Sequence, residues 1–479
     1  MNNLSRRGFL AGFTKAVGVG TASFLCRARL GIGVPFVVPP FWLREAHELI
    51  RGIKQPRIAR RGVRLKPIDG DARAMIQEAI DSLNSRGGGR VSLAPGEWRV
   101  NGPIRYRSGI DLHLEAGARL IFSARRADYL PLVRTRWEGT DLFGYSPLLY
   151  AYQVRDVALS GAGSIEMEEG GDVADWRFEQ TEAQRRLRAM GASGAPLEGR
   201  IFGAGLFLRP SCVQFFECER VLVDGVRLGA IPFWGVHCVY SEHVVVRGVV
   251  VDSLRVNNDG VDIDSSRHVL VERCVFNTGD DCIAIKAGRD LDGRMVGRPS
   301  ENIVIRECKM LRGKSAGIAI GSEMSGGVRR VYIYRCEMGD VETVFNVKSN
   351  LDRGGFVEHL RVWNVSARQA ARVVQITTSY HGYIGGNFPP RIEDIEIDDL
   401  RCQRAREGIA IKGVPASPVK RIKFKGVSID SVAKPLVATN ASQVEFERVL
   451  VNGETLSAAL LKKEPSDPPN LSLSGDAIS

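Results

Sequence analysis

The chain has 479 residues, 44% of them hydrophobic and 25% charged, which is enough apolar material for a large core. Its 52 glycines and shortage of long amphipathic helical patterns exclude a helical bundle and favour many short strands. The net charge is +11, but five basic and no acidic side chains fall within residues 1–30, so the remaining +6 suits an acidic partner only weakly and does not by itself point to nucleic acid.

Residues 1–30 combine an Arg6-Arg7 pair with a Gly-rich apolar stretch from Phe9 to Leu25 that Lys15 interrupts. The stretch is short for a membrane-spanning helix and reads as an export signal, with a retained anchor as the alternative. The segment "SRRGFLA" is similar to the twin-arginine motif, which implies export to the periplasm or beyond. Residues 31–62 read as a linker with a short helix near 41–50. A helix near 71–84, which Asp71 can cap, then precedes the first strands.

From about residue 220 a pattern of alternating apolar and polar residues returns nine times, from "RVLVDGV" (220–226) to "QVEFERV" (443–449), at roughly 22–35-residue intervals. Alternation with period two means strand, and fixed recurrence means stacked coils. A second set of strands aligns on Ile263, Ile285, Ile320, Val347, Ile376 and Ile411, which predicts an inward aliphatic ladder. The neighbours Asp262, Asp264, Lys286, Asn346 and Lys348 should then form an exposed polar stripe. These features predict an all-β fold, a parallel β-helix over residues 63–456 with an N-terminal capping helix, followed by a poorly ordered tail at 457–479. Capped at its ends, such a solenoid is expected to be a monomer. The nine cysteines lack zinc spacing, and Cys274, Cys308 and Cys336 recur at one point of the repeat, which suits buried packing.

The same alignment places Asp259 and Asp281 four residues before Ile263 and Ile285, stacked on adjacent coils, with Asp280 beside them. Three carboxylates gathered in this way must push at least one pKa upward. Glycosidic hydrolysis uses such a set, as a proton donor to the leaving oxygen and a base for water, roughly 6.5–9.5 Å apart when the reaction inverts. Turn chemistry and a calcium site of Asp259, Asp262 and Asp264 are the competing readings.

The segments "NNDGVDIDSS", "TGDDCIAIKAGRD", "GRPSENIVI" and "GIAIGSEMSGG", with "TRWEG" and "YSPLLYAY" upstream, resemble the signature segments of the polygalacturonase family, glycoside hydrolase family 28. The resemblance runs from about residue 63 to 450. It implies a right-handed parallel β-helix and inverting, cofactor-free and metal-free hydrolysis of an acidic plant cell-wall polysaccharide. It further implies Asp280 as general acid, Asp259 and Asp281 as activators of water, Asn257 as part of the same motif, and Lys348 as a contact for a substrate carboxylate.

Two segments depart from the family. "KSAG" (314–317) replaces Gly-His-Gly, putting Ser315 or Ala316 where the histidine would stand, and Asn346 replaces the arginine of Arg-Ile-Lys. Losing that bidentate fork turns attention to rhamnogalacturonan or another modified acidic glycan, or to a non-catalytic carbohydrate-binding relative. His237 in "PFWGVHCVY" resembles a cleft-lining segment of the family. Tyr380 and His381, near Tyr383 in a Gly-rich connection, suit stacking on sugar. By analogy with exo-acting members of the family, the insertion at 289–299 implies a cleft closed at one end.

Overall fold

The computed structural model describes residues 39–382 and 385–457, without the side chains of 173–175. The export signal, Cys26, Tyr383 and all but the first residue of the expected tail lie outside the described residues. The described residues cluster as one compact unit.

The repeat builds a parallel β-helix. Ile263 pairs with Ile285, Ile285 with Ile320, Ile320 with Val347, Val347 with Ile376, and Ile376 with Ile411, so the expected ladder is present rung by rung. All six side chains are buried. Each fully buried aliphatic contributes about 1.5–3 kcal/mol, and the ladder holds the register because a one-residue slip would turn it to solvent. Cys274, Cys308 and Cys336 stack in the interior, and all eight cysteines among the described residues are free and buried.

The capping helix, α2 (Arg73–Ser85), starts two residues later than the sequence suggests, with the Asp71 carboxylate accepting the Arg73 N–H at 3.0 Å. It buries Ile76, Ile80 and Leu83 over the first coil. At the other end a short antiparallel pair, Leu450–Val451 with Glu454–Thr455, finishes the last coil.

The stretch read as a linker is strapped to the solenoid. At the same turn of successive coils a non-glycine residue adopts a left-handed conformation, φ 53–57°: Asp156, Arg220, His243, His268, Asn302, Arg330, His359, Asp394 and Arg421. The N-terminal segment lies along this row. In helix α1 (Leu43–Gly52), Glu45 accepts a bond from Arg330 at 2.9 Å, and further along the Arg57 N–H reaches the Asp156 carboxylate at 2.8 Å.

Three elements not anticipated from the repeat cover one face of the sheet. They are an antiparallel hairpin (Val133–Trp137 with Thr140–Gly144), helix α3 (Asp172–Ser193) and, within the 289–299 insertion, helix α4 (Asp290–Val296).

Candidate active site

Gly260 N–H donates to the Asp281 carbonyl and Gly235 N–H to that of Asp259, which sets the two aspartates on successive rungs just before the strands Val261–Asp264 and Ile283–Lys286. The "GDD" loop lies hard against the preceding turn. A Cβ at Gly279 would stand 1.8 Å from the Arg255 carbonyl oxygen, so only glycine fits there. Oxygen atoms of Asp259, Asp280 and Asp281 lie within 4.8 Å of one another. The cluster is tighter than the expected separation, because two of its members are sequence neighbours and the third is one rung, about 4.8 Å, away.

Neighbouring carboxylates have opposite environments. Asp280 is the one of the three that reaches solvent; it accepts bonds from Asn257 Nδ2 at 3.3 Å and from the Asp281 N–H at 3.0 Å. Burial and the adjacent Asp281 charge push its pKa up. Burial also opposes ionisation of Asp281, but the Lys348 ammonium at 2.9 Å, Lys286, the Ser315 hydroxyl and the Ala316 N–H at 2.8 Å outweigh it and hold that carboxyl below its usual range. Asp259 is 3% exposed, with one oxygen unpartnered, and burial with Asp262 and Asp280 nearby pushes it well up.

The polar stripe is not exposed. Asp262, Asp264, Lys286, Asn346 and Lys348 are all buried; the hairpin, on which α3 and α4 pack, covers Asp264 through Arg136, Trp234 covers Lys286 and Tyr380 covers Lys348. Arg136 of the hairpin reaches Asp264 at 3.2 Å and lies 4.7 Å over the Tyr240 ring. Lys286 stands 3.7 Å from Asp262, 3.5 Å from Glu323 and 4.6 Å over the Trp234 ring. Cations therefore stand beside Asp262 and Asp264, where a calcium site would need them free, and these two do not gather with Asp259. A separate trio, Glu242, His243 and His268, also draws together, but its two rings stack at 5.0 Å and 22°, so their in-plane lone pairs cannot converge on one ion.

Ser315 and Ala316 stand at the site, binding Asp281 through hydroxyl and backbone where a family member has histidine. Asn346 pairs with Ala319 on the rung that carries Lys348, its side-chain oxygen unpartnered. Tyr380 leans over Lys348, ring to ammonium 5.4 Å, and His381 packs on Tyr380 at 3.9 Å with its outer side exposed. His237 is brought near but not onto the cleft. It is fully buried under Trp234, one rung from Asp262, its Nδ1 bonded to Gln214 and Ser211.

Sequence reasoning missed Arg209, a buried guanidinium that donates to Asn257 Oδ1 at 2.7 Å and to Gln180 of α3 at 2.9 Å, so the covering helix is tied through Asn257 to Asp280. It also missed Glu323, which Lys286 and Arg289 hold ionised against burial. No local signal marks Arg209; Glu323 lies in the quoted "GIAIGSEMSGG" segment.

A parallel β-helix that holds one carboxyl up and its sequence neighbour down is equipped for proton donation and proton abstraction at adjacent points. The family model for glycosyl hydrolases family 28 matches residues 207–446. A hyperthermoactive exopolygalacturonase from Thermotoga maritima superposes with a TM-score of 0.80 at 32% identity, over 87% of this chain and 97% of that one. A probable polygalacturonase from Vitis vinifera is 25% identical over 75% of this chain and 71% of its own length. An endo-polygalacturonase from Pectobacterium carotovorum subsp. carotovorum is 24% identical over 80% and 90%. The chain belongs to glycosyl hydrolases family 28. It is an O-glycosyl hydrolase, and among its described residues no helix is long and apolar enough to cross a membrane.

Proposed function

We propose that the protein hydrolyses polygalacturonate or its oligosaccharides from a chain end. The observation that carries this reading is the opposed environment of two adjacent carboxyls. Asp280, whose pKa is held up and which reaches solvent, gives its proton to the glycosidic oxygen as the C1–O bond breaks. Asp281, kept ionised by Lys348, takes a proton from the water whose oxygen bonds to C1. Asp259, even protonated, accepts the other hydrogen of that water through its carbonyl oxygen. Attack from the face opposite the leaving group gives a product of inverted anomeric configuration.

Lys348 and Tyr380 supply a cation and a ring for a uronate unit, and Asn257, Asn346, Ser315 and His381 complete the surroundings of the bound sugar, with His237 behind them. The chain-end mode is supported by the wall of α3, α4 and the hairpin, which stands beside Asp280 through the Gln180–Arg209–Asn257 chain, and by the exopolygalacturonase similarity. A rhamnogalacturonan or other modified acidic glycan is the second reading, favoured by Asn346 standing where the family has arginine. The remaining parts of the proposal are export through the twin-arginine route on Arg6 and Arg7, action as a monomer, and no use of nucleic acid.

The experiment is to incubate the mature protein and its Asp280→Asn variant with oligogalacturonides and rhamnogalacturonan, reading products by mass and anomeric configuration by NMR. Saturated products of inverted configuration, absent with the variant, are expected. Equal turnover by the variant would sink the assignment.

A further inference from the structure

A cavity of about 590 Å³ opens over the first coils, with Arg105, Arg107, Arg134, Tyr150, Tyr152 and one carboxylate, Glu198, in its lining. Its size falls within the roughly 300–1,000 Å³ of small-ligand pockets. Its floor continues the catalytic sheet, for the register runs from Arg105 to Tyr150, Gln214, His237 and Asp262 on successive rungs. Tyr150 is therefore three rungs, about 14 Å, from Asp262. The hairpin lies between the two. Arg134 lines the cavity, whereas two residues on Arg136 pairs with Asp264, and Arg289 N–H then donates to the Gly139 carbonyl at 2.9 Å.

The chemistry of the cavity is specific in two respects. Tyr150 and Tyr152 lie side by side, 6.1 Å apart at 19°, backed by the fully buried Phe216 of the next rung, and the half-buried Tyr152 gives the cavity its ring surface. Two of the three arginines are engaged, Arg107 by Asp81 at 2.8 Å and Arg134 by Asp141 at 3.4 Å and Glu217 at 3.8 Å. Arg105 is not: among the described residues no carboxylate lies within ion-pair distance of it, and its buried Nε has no hydrogen-bond partner. Gln77 of α2 clamps the Arg105 backbone on both sides, at 2.9 and 3.0 Å, so the base of this uncompensated cation is fixed. An unpaired guanidinium lining the same cavity as a tyrosine ring matches a ligand with a carboxylate on one side and a C–H ring face on the other.

We propose that this cavity is a second, non-catalytic site for a uronate unit of an acidic oligosaccharide. The ligand class rests on the substrate reading above. The site lies across the hairpin from the aspartates, so it holds a different stretch of polysaccharide from the one being cleaved and raises the effective concentration of polymer at the cleft.

Calorimetric titration of the full-length Asp280→Asn protein with saturated trigalacturonate tests it. Two classes of site are expected, one of which disappears in Arg105→Ala/Tyr152→Ala and weakens about tenfold in the shorter, uncharged Arg105→Gln. The fully methyl-esterified trisaccharide should leave that class empty. In the otherwise native protein, the same substitutions should raise KM for the polymer and leave kcat/KM for digalacturonate unchanged. A single class of site, two classes that both survive the substitutions, or equal occupancy by the methyl ester would each overturn the proposal. Digalacturonate hydrolysis by the native protein reads the substrate assignment separately, so failure of one is distinguishable from failure of the other.

Discussion

Asp280 and Asp281 differ by one position and by everything around them. One reaches solvent with a like charge as its neighbour; the other is 1% exposed with an ammonium at 2.9 Å. Replacing Asp280 with Asn should lower kcat by about 10²–10⁴-fold, the range for removing a general acid, in steady-state assays on oligogalacturonide. The same change should make the fold more stable. A carboxyl whose pKa is raised on folding costs stability as pH rises from its unfolded value through its folded one, so the gain in urea denaturation should be absent in acid and grow as pH rises above the usual carboxylate range. Asp281 has the reverse sign: its pKa is lowered, so its contribution is present above the usual carboxylate range and is lost as pH falls through the folded value. Lys348→Met should therefore move the acid limb of the pH–rate profile upward. It should also cost about 3–5 kcal/mol by leaving a buried carboxylate unpaired.

At the scale of elements, the strands were legible in the sequence and their covering was not. Alternation alone located Ile263, Ile285 and Ile320, because the periodicity of a strand is local. It also assigned Asp262, Asp264 and Lys286 correctly to the opposite face, but could not tell that this face is roofed, since the roof comes from segments remote in sequence. Helix α3 escaped notice because its cover is narrow: Ala183 and Leu187 are buried, while Gln184 and Arg188 bind Glu138 of the hairpin. Within the site, the aspartate cluster and Lys348 were legible from motif and register. Arg209 and the burial of His237 were not, because each depends on tertiary contacts. The roof is also stabilised by charge, which gives a separate expectation. Arg136→Met leaves Asp264 and Asp141 without their buried cation, and should lower stability by about 3–5 kcal/mol in equilibrium unfolding.

For the whole molecule, the solenoid transmits register along its length, so a cavity in the ladder is felt at the site. Ile320 pairs on one side with Ile285 and on the other with Val347, the residue before Lys348. Ile320→Ala should cost about 2–5 kcal/mol in chemical denaturation. The proposed chain-end mode carries with it a product pattern. The most direct measurement is the time course of products from saturated hexagalacturonate, with Asp280→Asn in parallel. The account predicts saturated monogalacturonate from the first time point, with the pentamer appearing as its partner and no product from the variant. Random mid-size fragments would contradict the chain-end mode, and unsaturated products, or equal turnover by the variant, would contradict hydrolysis by these carboxylates.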